Sequence, residues 1–182
     1  MRTVGIDLAG KESNPSGFAV LVNRKVETKL VGPDKEIIQL CVREHPDVVA
    51  IDAPLSFPRE GNLRSADSQL ISHGYHVLPP TLGGMRVLTE RGIQLARELR
   101  ARSMSVIEIH PRTSGRILFG SSRREEWLSE LERRGWKVKG CVSDHEVDAA
   151  VAALTGLLYL QKRTKEVGEL EEGLIVIPRG RM

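Results

Sequence analysis

An aspartate inside the first apolar segment constrains this chain more than any other feature. Apolar residues recur at every second position of Thr3–Gly10, a period of two that predicts a β-strand. Asp7 lies within that strand and has no basic neighbour in the sequence. Because burial of an unpaired carboxylate is costly, the fold must either hydrogen-bond Asp7 to a loop amide or use it as a ligand or catalytic group.

The same feature occurs three more times along the chain. Asp52 ends one short apolar run and Glu108 lies within another, and both runs have the length of buried strands. Asp148 lies in 147–160, a segment that is apolar almost all round and predicts a tightly packed helix. Since the carboxyl ends of neighbouring parallel strands open on one crevice, we expect Asp7, Asp52 and Glu108 to meet there.

The remaining periodicity predicts an α/β fold on a mixed sheet. Strands at 17–22 and 25–31 follow the first strand after short polar turns, which indicates a three-stranded antiparallel meander. With the runs that contain Asp52 and Glu108 as two parallel strands, the sheet has five strands and is flanked by helices. Helices are predicted at 34–45, 65–72, 87–103, 122–134 and 143–160, and a last edge strand at 174–177.

Length and irregular segments predict one domain over 1–182. A chain of this length buries about 70% of the surface that its unfolded form exposes. The longest irregular region, 54–85, is rich in proline and glycine and is interpreted as a functional loop insertion with a small helix of its own.

Composition restricts the class of protein. The net charge of +3 suits an anionic partner such as nucleic acid. Cys41 and Cys141 lie far apart without a CxxC motif, which argues against a zinc site and a disulfide framework. No leader and no apolar run of membrane-spanning length is apparent, so we expect a cytoplasmic protein without membrane contact.

The four carboxylates predict a site for hard divalent cations. Oxygen ligands without clustered cysteines or paired histidines favour Mg²⁺ or Mn²⁺. Two such ions about 4 Å apart would activate a water and stabilise a leaving oxyanion during phosphodiester cleavage. His145 lies three residues before Asp148 and shares its helix face, so it is a candidate general base or second ligand.

The start of the last helix also has an ordinary structural explanation. Ser143 and Glu146 have the spacing of a capping box, and Asp144 would stabilise the positive end of the helix dipole. His145 fits a capping role as well as the role of a general base or metal ligand. Capping does not explain Asp148, which lies too far inside an apolar helix.

Four arginines near the crevice allow two interpretations. On most surfaces such arginines are simply solvated, but around an acidic crevice they would bind phosphates with two hydrogen bonds each. Glu108 likewise fits either the site or an ion pair with a loop arginine such as Arg112. The arginines considered as substrate-binding residues are Arg64, Arg86, Arg91 and Arg112.

Short motifs stand in a characteristic order along nearly the whole chain. They are Gly5–Ala9, Ile51–Leu55, Arg64 with Asp67, Gly84–Gly92, Ile107–Pro111 and Asp148–Ala150. Together they resemble the ribonuclease H-like superfamily, and the segment 144–150 resembles the acidic C-terminal helix of Holliday-junction resolvases. The chain is most similar to DUF429, a family of predicted nucleases.

This resemblance implies a ribonuclease H-like fold and a divalent-metal-dependent nuclease that hydrolyses phosphodiester bonds in DNA or RNA. In resolvase-like enzymes a first-strand aspartate, a fourth-strand acid and helix acids hold the metals, and Asp7, Asp52 and Asp148 match them. The catalytic set adds Glu108 and His145, and the partners implied are nucleic acid and a second copy of the chain. The chain departs from the pattern in having Asp on the fourth strand, an extra glutamate and the long 54–85 loop.

Two other functions fit the same residues. One is a nucleic-acid-binding module that keeps the fold without catalysis. The other is an actin-like phosphotransferase, because Gly5–Asp7 also resembles the phosphate loop of sugar kinases. The chain is too short for two such domains and has no second glycine-rich phosphate motif, so we rank this alternative last.

Overall fold

A central sheet of eight strands organises the computed structural model, which describes residues 1–182. The strands are β1 (Arg2–Asp7), β2 (Ser16–Val22), β3 (Lys25–Val31), β4 (Val48–Asp52), β5 (Val106–Ile109), β6 (Lys137–Lys139), β7 (Thr164–Glu169) and β8 (Gly173–Pro178). The helices are α1 (Asp34–Glu44), α2 (Ser65–Ser72), α3 (Gly83–Arg100), α4 (Pro111–Phe119), α5 (Arg124–Arg133) and α6 (Asp144–Leu160).

The strand order is β6-β3-β2-β1-β4-β5-β8-β7. Strands β1, β2 and β3 form the predicted antiparallel meander, and β4 and β5 add to β1 in parallel, so the predicted mixed sheet is confirmed. The predicted count of five strands is too low. The last strand, β8, is not an edge strand, because it pairs with β5 on one side and β7 on the other.

Helix α6 packs directly on the centre of one face of the sheet. A Cβ atom at Gly5 would overlap the backbone of Ala149 and Ala153, and one at Gly17 would overlap the carbonyl of His145. Thr3 Oγ1 donates to the Ala153 carbonyl at 2.8 Å, which satisfies this buried hydroxyl within the contact. The close approach explains why α6 is apolar almost all round, and it brings the first turn of α6 to the end of β1.

Helices α1 and α3 cover the opposite face. Their buried residues, which include Ile37, Leu95 and Leu99, pack with Ile6 and Ile51 from the two central strands in one core cluster. The side chains of β1 and β4 therefore alternate between two apolar layers, as the period of two predicts.

Two local differences from the prediction concern proline and glycine. Helix α3 begins at Gly83 rather than at residue 87, and Gly83 there has a positive φ of 51°. Pro111 follows the end of β5 as predicted and is also the first residue of α4, a helix that the periodicity did not predict, because a proline at the first helical position needs no hydrogen-bond acceptor. None of the helices has the combination of length and apolar character that crossing a membrane requires.

Candidate active site

Three parallel strands bring their carboxylates to one edge of the sheet. Asp7 and Asp52 are the last residues of β1 and β4, and they are direct partners in the register of this strand pair. Glu108 on β5 is paired with Ile51, one residue before Asp52. The predicted meeting of Asp7, Asp52 and Glu108 at the carboxyl edge therefore agrees with the sheet register.

The first turns of α6 complete this edge. The Ser143 side chain caps α6 by accepting from the Glu146 amide at 3.3 Å, and its hydroxyl donates to Glu146 Oε2 at 3.0 Å, so one of the two bonds of the predicted capping box is present. His145 Nδ1 lies within hydrogen-bond distance of Asp7 Oδ2, at 2.5 Å. One turn further, Asp148 lies close enough to raise the pKa of both strand-end aspartates.

The electrostatics of the cluster favour bound positive charge. Burial, followed by the charge of Asp148, raises the pKa of Asp7 from 3.8 to about 6, although the His145 hydrogen bond lowers it. The pKa of Asp52 lies well above its usual range because of burial and of the neighbouring charges of Asp7, Asp148 and Glu108. Asp7 and Asp52 are thus harder to ionise than in water, first because they are buried and second because other carboxylates are near.

Arg124 is a residue of the crevice that the sequence analysis does not single out. As the first residue of α5 it donates to both oxygens of Asp148, with Nε at 2.8 Å from Oδ1 and Nη2 at 2.5 Å from Oδ2. Its Nη1 lies 3.2 Å from Asp144 Oδ2. Helix α5 is held there by Trp127, which is fully buried in one cluster with Val147 of α6. An arginine-rich amphipathic helix gives no signal of this contact in the sequence.

The predicted metal ligands do not form a preassembled metal site. No three histidine, cysteine, aspartate or glutamate side chains of the chain are arranged to hold one ion. The physical reason is that Asp148 is engaged by Arg124 and Asp7 by His145. The donor set itself still fits a hard divalent cation, because three carboxylates share one arginine and carboxylate oxygens are the preferred ligands of Mg²⁺ and Mn²⁺.

Glu108 belongs to a buried ion network rather than to the open cluster. Arg64 donates to it from Nη1 at 2.8 Å and from Nη2 at 2.6 Å, and also binds Asp67 from Nε at 3.0 Å. The amide of Leu55 donates to Glu108 Oε2 at 2.8 Å. Arg64 is only 1% exposed, so its guanidinium is out of reach of a phosphate. The contacts give both residues a structural role in tying the 54–85 insertion to β5, and the predicted pairing of Glu108 with Arg112 is replaced by Arg64.

The other predicted arginines differ in their access to the crevice. Arg91 is buried and donates to Asp34 Oδ1 at 2.9 Å and to the Ala9 carbonyl at 2.6 Å, so it anchors loops and does not face substrate. Arg86 is exposed and pairs with Glu90 on the same helix at 3.1 Å. Arg112 is exposed at the start of α4 and lines the cavity beside Asp7 and Asp52. Of the four, Arg112 is the one placed to contact an anion there.

Known structures share this fold. RuvC of Thermus thermophilus, in complex with a Holliday junction substrate, is 16% identical with a TM-score of 0.56, over 89% of this chain and 96% of that chain. A second Thermus thermophilus RuvC structure is 17% identical with a TM-score of 0.50, over the same shares of both chains. The likeness shows a ribonuclease H-like fold. A search of curated proteins gives no match.

The family match covers the elements that build the crevice. Residues 5–169 match the family described as "Protein of unknown function (DUF429)". This range begins in β1, before Asp7, and ends with β7, so it includes every carboxylate of the cluster. The chain belongs to the DUF429 family.

Proposed function

We propose that this protein is a divalent-metal-dependent nuclease that hydrolyses phosphodiester bonds in DNA or RNA. The observation that supports this most directly is the cluster of Asp7, Asp52 and Asp148 at the carboxyl edge of the sheet, where burial and neighbouring carboxylates raise the pKa of Asp7 and of Asp52. The shared fold with RuvC, one structure of which contains a Holliday junction substrate, supports nucleic acid as the substrate class.

Each residue of the crevice has a proposed role. Asp7, Asp52 and Asp148 would hold Mg²⁺ or Mn²⁺. When bound, such an ion would lower the pKa of a water molecule and stabilise the leaving oxyanion. His145 Nδ1 lies against Asp7 Oδ2 at 2.5 Å, and its Nε2 would accept a proton from the attacking water. Arg112 would bind a phosphate oxygen at the rim.

A cleavage assay tests this proposal. Wild type would be incubated with single-stranded, duplex, RNA–DNA hybrid and branched substrates in Mg²⁺ or Mn²⁺. We expect cleavage of at least one substrate, with activity lost in Asp7→Asn and in Asp148→Asn. Asp144→Asn is the matched control, because Asp144 lies on the same helix but is exposed, and it should cleave like wild type. Cleavage that persists in both Asp7→Asn and Asp148→Asn would refute the assignment.

One observation favours a second candidate, a nucleic-acid-binding module without catalysis. Arg124 already neutralises Asp148, and no three metal-ligating side chains are arranged around one point. Such a module would bind nucleic acid with an affinity that falls as salt rises, and it would not cleave in any metal. Binding without turnover in the assay above would select this candidate over the nuclease.

A further inference from the structure

A cavity of about 390 Å³ opens beside the carboxylate cluster. Its base is formed by the ends of β1, β4 and β5, and its cover comes from the 54–85 insertion and the start of α3. This volume lies in the range of small-ligand sites in proteins. The cavity and the cluster share Asp7 and Asp52, so a molecule in the cavity lies next to the proposed reaction centre.

Eight of the 17 residues that line this cavity are apolar. Among them, Leu78 is 62% exposed although it stands at the rim of an acidic crevice. The aliphatic wall residues are Leu8, Val77, Leu78, Met85, Leu88 and Ile109.

Eight charged or polar residues form most of the remaining lining, and carboxylates and arginines lie at its base and rim. His110 Nδ1 lies 2.8 Å from Thr113 Oγ1, which fixes the ring and leaves Nε2 for a ligand. Burial, followed by the charge of Arg112, lowers the pKa of His110 to about 4, so its ring is neutral at pH 7. His76 and Arg112 also line the cavity. The Arg64–Glu108 pair at the base is internally satisfied and offers a rigid floor.

We propose that this cavity binds one unstacked nucleobase of the substrate strand, with the adjoining phosphate held by Arg112 at the rim. The proposal rests on the nuclease function given above and names its substrate class: a strand with at least one unpaired nucleotide. A base is flat and neutral with a polar edge, so it matches aliphatic walls with two histidines at their border. A phosphate inside the cavity would be repelled by Asp7 and Asp52, and a base inside a continuous duplex cannot reach it.

Oligonucleotides with 2-aminopurine test the proposal, because the fluorescence of this base rises when it leaves the stack. Binding would be measured by anisotropy and unstacking by fluorescence on the same samples, with Ca²⁺ in place of Mg²⁺. We expect wild type to unstack the base at one position of a single strand. Met85→Trp, which fills the cavity, should weaken binding at least about fivefold and abolish the fluorescence rise. Leu82→Trp is the matched control on the same segment, since Leu82 is exposed and outside the cavity.

A second variant does not depend on packing. Leu78→Glu places a negative charge at the exposed rim, where folding is unaffected, and it should also remove the fluorescence rise. Two results would overturn the base site and leave the nuclease proposal standing. One is oligonucleotide binding without a fluorescence rise at any position. The other is a pair of cavity variants that bind and unstack the base like wild type.

Free nucleotides separate the two proposals further. Binding of a nucleoside monophosphate that Met85→Trp abolishes, without any oligonucleotide binding, would support the base site and contradict the nuclease function. No binding of either ligand would overturn both.

Discussion

At the scale of single residues, the crevice is governed by an excess of negative charge. Asp7, Asp52 and Asp148 lie within interaction distance of one another, and Arg124 is the one guanidinium that binds any of them. Like charges at short range disfavour the ionised forms, and the same repulsion makes a divalent cation a favourable neighbour. Protonation, Arg124 and metal ions are therefore three competing ways to neutralise this site.

The raised pKa of Asp7 predicts a pH-dependent stability difference. The folded state keeps a proton on Asp7 up to about pH 6, whereas the unfolded state releases it near 3.8. The free energy of unfolding therefore falls as pH rises through this window. Above about pH 6 we expect Asp7→Asn to have a larger free energy of unfolding than wild type. The gain is at most about 3 kcal/mol, and loss of the His145 hydrogen bond reduces it.

Urea denaturation of both proteins between about pH 4 and pH 8 measures this difference. His110, with its pKa lowered to about 4, gives wild type the opposite pH trend, but it is present in both proteins and cancels in the comparison. A variant that is less stable than wild type at every pH would show that Asp7 stabilises the fold as a charged group.

Arg124 predicts a change in cation affinity. A metal ion that binds Asp148 has to displace a guanidinium that holds both carboxylate oxygens, in a pair whose side chains are only 17% and 8% exposed. Removing this competitor in Arg124→Gln should tighten Mn²⁺ binding about tenfold, which corresponds to about 1.4 kcal/mol. Calorimetric titration measures the affinity, and Arg123→Gln is the control because Arg123 is exposed and pairs with Glu126. Weaker binding in Arg124→Gln would mean that Arg124 positions Asp148 for the metal.

At the scale of secondary structure elements, the contact between β1 and α6 positions the site. A Cβ at Gly5 would overlap the α6 backbone, so Gly5→Ala must push the helix away from the strand. We expect a loss of more than about 2 kcal/mol in the free energy of unfolding, together with weaker Mn²⁺ binding. Gly84→Ala is the matched control, because Gly84 lies in α3 with open space around it and should gain up to about 1 kcal/mol. Chemical denaturation of both variants measures the change in the free energy of unfolding. Equal changes in Gly5→Ala and Gly84→Ala would contradict this packing.

The Arg64 network predicts how firmly the 54–85 insertion is attached. Arg64→Met would leave the buried carboxylates of Asp67 and Glu108 without their partner. Breaking a buried ion pair in this way costs about 3–5 kcal/mol. Chemical denaturation measures the loss, with Arg86→Met as the control at an exposed pair. A loss comparable to that of the control would show that the insertion is held by its apolar contacts instead.

The sequence predicts elements well where the periodicity is strong and local. The alternation around Asp7 and the all-apolar character of α6 follow directly from burial on both sides, and both elements are confirmed. Strands β6 and β7 were missed because one has three residues and the other is largely charged and lies at the sheet edge. Short or exposed strands depend on the neighbour they pair with, and a single sequence does not show that neighbour.

The candidate site, like the fold, is only partly predictable from the sequence. The three aspartates were predictable, because a carboxylate inside an apolar element is anomalous at the level of the sequence alone. The arginines that pair with the buried carboxylates were not predictable. Arg124 contacts Asp148 across 24 residues and Arg64 contacts Glu108 across 44. Any of the many arginines of the chain fits such a role until tertiary packing chooses one.

At the scale of the whole molecule, metal binding at this site should appear as global stability. The cluster joins β1, β4 and α6, elements from both ends of the chain, so an ion that binds only the folded state stabilises all of it. At one hundred times its dissociation constant such an ion adds about 2.7 kcal/mol, which for a domain of this size raises the melting temperature by about 5–10 °C. We expect this shift with Mn²⁺ for wild type and Asp144→Asn, and none for Asp7→Asn/Asp148→Asn. An equal shift in the double variant would place the ion elsewhere, whereas no shift in wild type would leave Arg124 as the resident counter-ion and favour the binding module over the nuclease.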